Sequence, residues 1–215
     1  MRIVTLITRM IRGGAQRVAL ETAARLNARG HDAPLWCGPE TGPEGSLLEE
    51  ARARGVPVRI FPSLVRAIDP LRDLRAVGEL ARALRDAQPD WLHTHSSKAG
   101  IVGREAAARA GVPRVAHTVH GWGFTPQTPP PLRSLFVRLE RREARRGVLV
   151  FVNPWDREEG RRLGILGAGL AAGQAARTRV IPPGIDLVRL ARTERSAEER
   201  QRIRRELRIP EAAPV

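Results

Sequence analysis

Tyrosine is absent from this 215-residue chain, cysteine and lysine occur once each, and aromatic residues make up only 4% of it. A single cysteine, Cys37, excludes an internal disulfide and fits a reducing compartment. No apolar run approaches the roughly 20 residues that span a bilayer. The opening MRIVTLIT is too short for a signal peptide and has no cleavage site. The chain is therefore expected in the cytoplasm, with the option of resting on the cytoplasmic face of a membrane. No Gly-Lys-Ser/Thr follows a glycine turn, and no third glycine completes a dinucleotide fingerprint. No helix-turn-helix, zinc-finger or aromatic RNA-binding pattern is present either.

What is abundant is arginine. Lys98 is the sole lysine among 37 basic residues, the formal charge is +14 and the pI is near 11.6. Such an excess is read either as arginine spread over solvated helix faces or as a basic surface for anionic lipid, nucleic acid or phosphorylated substrates. Net charge alone does not choose between them.

Short apolar runs alternate with amphipathic stretches of 10–15 residues along most of the chain. Strands are expected at 2–8, 33–37, 57–61, 91–94, 114–119, 148–152 and 179–181. Helices are expected at 15–29, 45–54, 69–87, 98–110, 131–146, 154–163 and 195–207. This alternation predicts a Rossmann-like α/β/α fold with a mostly parallel sheet of about seven strands. Right-handed crossovers then bring every carboxyl strand end to one edge. Residues 1–182 form the expected main domain, and 183–215 a connector with a charged helix.

Four of the five histidines fall in two phrases, HTHSSKAG at 93–100 and HTVHGWGF at 117–124. Each continues an apolar strand into small polar residues, as at a ligand-binding strand end. His93 and His95 alternate, so both point to one face. A metal reading lacks a carboxylate at that end, since Asp90 precedes the strand, and no metal or other cofactor is called for. Ser96 and Ser97 are candidate caps for the following helix, and Lys98 could meet an anion there. His120, among glycines, has room to touch a ligand. Gly13-Gly14 opens the first helix, where backbone N–H groups favour an anion, although a tight turn alone explains the pair. Trp122 and Phe124 precede a basic helix bearing Leu132, Leu135, Phe136 and Leu139. That helix packs in the core or, with Arg133 and Arg138, forms a patch for acceptor or anionic membrane.

GGAQR at 13–17, PDWLHTHSSKAG at 89–100, HTVHG at 117–121 and VIPPGID at 180–186, in that order, resemble the N-terminal half of a family 4 glycosyltransferase of the GT-B fold. The resemblance implies an acceptor domain of a retaining enzyme that moves sugar from a nucleotide-sugar to a cell-envelope glycan or lipid-linked acceptor. It implies that Gly13 and Gly14 face the donor diphosphate and that His120 contacts the transferred sugar as the catalytic residue. Arg17, His95, Ser96, Ser97 and Lys98 would line the acceptor side. The donor domain is then expected to be missing, and these residues alone to be inactive. Asn153 stands where the family has serine, and Pro183 where it has asparagine, so no role is carried to either. A nucleic-acid-binding module and a histidine-metal hydrolase are the competing readings. No nucleic acid partner is expected, and the lack of a positioned carboxylate pair argues against hydrolysis.

Overall fold

The computed structural model describes residues 1–40, 43–167, 177–184, 197–210 and 213. Residues 1–183 form one compact unit and 184–215 a second. The Gly/Ala-rich segment 168–176 and residues 185–196 of the expected connector fall outside the described residues.

The first unit contains β1 (Ile3–Ile7), α1 (Gly14–Ala28), β2 (Leu35–Cys37), α2 (Leu48–Ala53), β3 (Val58–Ile60), α3 (Pro70–Ala87) and β4 (Trp91–His95). It continues with α4 (Ser97–Ala110), β5 (Val115–Val119), α5 (Pro130–Glu143), β6 (Val148–Phe151), α6 (Pro154–Arg162) and β7 (Arg177–Val180). The second unit contributes α7 (Ala197–Glu206), which has no buried residue. The seven strands form one sheet in the order β3-β2-β1-β4-β5-β6-β7. Every pairing is parallel, as the near-continuous apolar runs require of strands covered on both faces.

Local chemistry sets the helix ends. Asp69 caps α3 by accepting from Arg72 N at 3.0 Å, with Pro70 at the first helical position. Asn153 caps α6 by accepting from Asp156 N at 2.8 Å, the work a serine would do there. On one face of the sheet Val4, Leu6 and Leu92 pack against Val77, Leu80 and Leu84 of α3 and Val102 of α4. On the other, Ile7, Leu35 and the buried Cys37 meet Leu20 and Ala23 of α1 and Leu48 of α2. Burial pushes the Cys37 thiol up to about 12. Val119, Leu149 and Phe151 form a third cluster with Phe124 and Ala144.

Candidate functional site

The strand order reverses between β1 and β4, which opens a crevice at their carboxyl ends. Thr8 leaves β1 there, and Ser96 leaves β4. Their hydroxyls lie 2.6 Å apart, and Thr8 Oγ1 also accepts from Ala99 N at 3.2 Å. Ser96 therefore does not cap α4 with its side chain, contrary to expectation; its hydroxyl is turned to the end of β1. It also holds φ 65° and ψ 148°, a region that costs a non-glycine residue about 1–3 kcal/mol. Strain of this kind persists where surrounding contacts enforce it, and the Thr8 contact supplies that.

The register Thr94↔His117 sorts the histidines by face. His117 lies on the α4 side, its Nδ1 2.9 Å from Thr94 Oγ1. It packs so tightly under α4 that a Cβ on Gly100 would come within 3.0 Å of both ring nitrogens. The other three form a column on the opposite, α1 side. His93 and His95 ring centroids are 4.2 Å apart, and those of His95 and His120 are 5.3 Å apart. His93 Nε2 bonds Thr118 Oγ1 at 2.8 Å, and His95 Nδ1 bonds His120 Nε2 at 3.0 Å. Burial holds His93 down to about 4 and, with neighbouring imidazoles, His95 well below its ordinary value. Burial, then the Arg104 charge, does the same to His117, and burial lowers His120. All four are neutral near pH 7. Among the described residues no group of three or more His, Cys, Asp or Glu is placed to hold a metal.

A cavity of about 830 Å³ opens from the crevice and runs between α3 and α5 over α4. Ile68, Leu74, Ile101, Leu135, Phe136 and Leu139 give it apolar walls. Arg9, Ser96, Ser97 and Lys98 stand at the strand-end part, with Gln16 of the first turn of α1. Lys98 Nζ is gripped by both Asp73 oxygens at 2.6 and 2.5 Å, and Arg9 pairs with Glu44 at 3.4 Å. Beneath the wall, Arg104 and Glu140 join α4 to α5 through a buried ion pair of 2.6 Å. Burial raises the Glu143 carboxyl, which also lines the cavity.

Of the expected acceptor residues, Ser96, Ser97 and Lys98 line this cavity. His95 is fully buried beneath His120, and Arg17 instead pairs with Glu50 of α2. His120 is half-buried at the edge; Gly13 caps α1 without a side-chain bond, and nothing would meet a Cβ on Gly14 within 4 Å. The aromatic patch needs correcting. Phe124 is core, only 7% exposed, because Arg133 stacks over its ring at 5.7 Å and Phe136 lies beside it. Trp122 is anchored through Nε1 to Asp156 O at 3.0 Å, though it still borders the cavity. Arg133 pairs with Glu159, and Arg138 is exposed. Thr8, Arg9, Gln16, Ile68, Asp73 and Leu74 are lining residues that sequence reasoning did not single out.

A family model described as a glycosyl transferase 4-like domain matches residues 13–184. An Escherichia coli UDP-Gal:alpha-D-GlcNAc-diphosphoundecaprenol alpha-1,3-galactosyltransferase is 42% identical over 113 residues, which is 52% of this chain and 27% of that protein. Among solved structures, Anabaena Alr3699/HepE in complex with UDP and glucose superposes with a TM-score of 0.69 at 18% identity, over 96% of this chain and 50% of that one. Acinetobacter baumannii MurG does so at 0.54 and 15%, over 91% and 50%. At these identities the structural likeness speaks for the fold, a Rossmann-like GT-B half. The chain spans about half the length of these solved structures.

Proposed function

The chain belongs to the glycosyl transferase 4-like family, and from that membership we propose that it forms the acceptor-binding side of a retaining transferase. Sugar would pass from a nucleotide-sugar to a lipid-linked glycan of the cell envelope. The observation that carries this reading is a cavity whose apolar walls lead to a polar strand-end part, where Arg9 and Lys98 stand ion-paired with Glu44 and Asp73. A polyprenyl diphosphate-linked sugar has the complementary division. Its chain would lie along Ile68, Leu74, Leu135 and Phe136, each buried methylene contributing about 0.8 kcal/mol. Its diphosphate would share Lys98 and Arg9 with Asp73 and Glu44, displacing part of each ion pair. The similarity to a galactosyltransferase whose name specifies a diphosphoundecaprenol acceptor supports the same class.

Ile68, Leu71, Leu74 and Leu135 are 56%, 81%, 60% and 46% exposed. These side chains and the arginines around them suit a rim resting on the cytoplasmic membrane surface, where such lipids are held. His120 would hydrogen-bond the transferred sugar, and the uncapped start of α1 at Gly13-Gly14 would face the donor diphosphate. Most nucleotide contacts would come from outside these 215 residues, which by themselves should bind acceptor without turning it over.

The test is binding of undecaprenyl-diphosphate-linked N-acetylglucosamine in detergent micelles, beside the same sugar diphosphate on a short soluble tail. The long-chain form should bind at least about tenfold tighter, equivalent to burying roughly two methylenes. Leu74→Asp and Leu135→Asp should erase that preference without unfolding the chain. Equal affinity for both tails would refute the proposal.

A further inference from the structure

His95 and His120 share one hydrogen bond, and its direction decides which nitrogen His120 offers to a ligand. The two atoms, His95 Nδ1 and His120 Nε2, are 3.0 Å apart. Each neutral ring carries one proton, so one nitrogen of this pair donates and the other accepts. Suppose His120 donated from Nε2. His95 would then accept at Nδ1 and carry its own proton on Nε2. That nitrogen is buried with no hydrogen-bond partner among the described residues. An orphaned buried N–H is among the rarest groups in folded interiors and costs about 1–3 kcal/mol. In the reverse arrangement the proton sits on His95 Nδ1 and is satisfied by His120, leaving at Nε2 only a lone pair. Unmatched acceptors are tolerated more readily than unmatched donors.

We infer that His95 is a positioning residue that fixes His120 as the Nδ1–H tautomer, so that His120 meets its ligand only as a hydrogen-bond donor. The His120 Nε2 lone pair is occupied from below by His95, and the remaining nitrogen bears the hydrogen. No lone pair is left with which His120 could take a proton from an acceptor hydroxyl. Its partner atom is an oxygen lone pair, on a sugar hydroxyl or a phosphate, and general-base work is excluded. His93 packs against the other side of His95 with ring centroids 4.2 Å apart and planes tilted by 43°, itself tied to Thr118, and confines the middle ring. The ligand part of this inference rests on the sugar contact proposed for His120 above; the tautomer does not.

The tautomer is read directly from long-range ¹H–¹⁵N correlations of the histidine-labelled, ligand-free chain at pH 7.5. His120 should show a protonated-type Nδ1 and an unprotonated-type Nε2, with His95 protonated on Nδ1. In His95→Asn, whose amide nitrogen replaces Nδ1, the His120 pattern should persist. In His95→Leu it should switch to Nε2–H, the form free imidazole side chains prefer. A wild-type spectrum with His120 protonated on Nε2 overturns the inference, as does an unchanged pattern in His95→Leu. If His95→Leu does not fold, the wild-type spectrum still decides. Because no ligand is present, either result is independent of whether a lipid-linked sugar binds.

Discussion

Replacing Arg104 by Met should destabilise the protein more than almost any other single change at the cavity. Arg104 is 1% exposed and Glu140 3% as side chains, and their 2.6 Å bond links the floor helix α4 to the wall helix α5. Arg104 Nε also donates to Gly100 O at 2.8 Å. Removing the cation leaves a buried carboxylate with neither charge partner nor water, a loss of about 3–5 kcal/mol. At about 2–4 °C per kcal/mol for a chain of this length, the Tm should fall by roughly 6–20 °C. Arg104→Met/Glu140→Leu removes both charges and keeps the volume apolar, so it should recover most of that loss and could exceed the wild type. Urea unfolding of the wild type, both single variants and the double variant gives the coupling energy directly. Two results would refute the reasoning: a single-variant cost below about 1 kcal/mol, or a double-variant cost equal to the sum of the two. In either case the pair would be incidental to how α4 and α5 are joined.

The crowding of His117 gives a second prediction. Gly100→Ala should cost about 1–3 kcal/mol by overpacking a buried imidazole, whereas Gly78→Ala, with nothing within 4 Å of a new Cβ inside α3, should gain about 0.5–1 kcal/mol. Denaturant midpoints moving the same way in both variants would contradict it. The third concerns pH. His93, His95 and His117 have folded pKa values below their ordinary 6.5, so the unfolded chain binds more protons once the pH drops below about that value. Stability is then full above about pH 6.5 and falls toward pH 4, by up to about 1.4 kcal/mol per pH unit for each imidazole. Urea midpoints that stay flat from pH 7 to pH 5 would argue against neutral, buried histidines.

The strand and helix alternation was legible because most strands, β1, β2 and β6 above all, are compact apolar runs and most helices longer amphipathic ones; β7, Arg-Thr-Arg-Val, is the weakest of these signals. α3 shows the best agreement, since Asp69 and Pro70 announce its start and Ala76, Val77, Leu80 and Leu84 its buried stripe. The placing of β1 between β2 and β4 was not legible, because pairing depends on contacts far apart in sequence. The same limit hid most of the cavity. Thr8, Gln16 and Leu135 come from three separate parts of the chain and meet only through the strand order. One signal was present locally: Leu71 and Leu74 lie three apart in the first turns of α3, just after Ile68 and off the helix's core stripe, and apolar residues on a second helix face want a partner. Arg17 and Phe124 were misplaced for the converse reason. Glu50, which pairs with Arg17, is 33 residues away and carries no mark of that pairing, while Phe124 is drawn into the core by Val119, Ala144, Leu149 and Phe151.

The hydroxyl junction at the crevice makes the two helices that begin there unequal. Ala99 N, one of the amides left without a helical partner at the start of α4, is taken by Thr8 Oγ1 at 3.2 Å. α1 begins at Gly14 with no such partner among the described residues, and neither helix has a side-chain cap or an acidic residue in its first turn. The edge is thus polarised across its own midline. On the α1 side the first-turn backbone solicits negative charge; on the α4 side part of that demand is met by Thr8, and apolar walls begin. A molecule bound across the junction would be sorted end from end before any side chain selected its sugar.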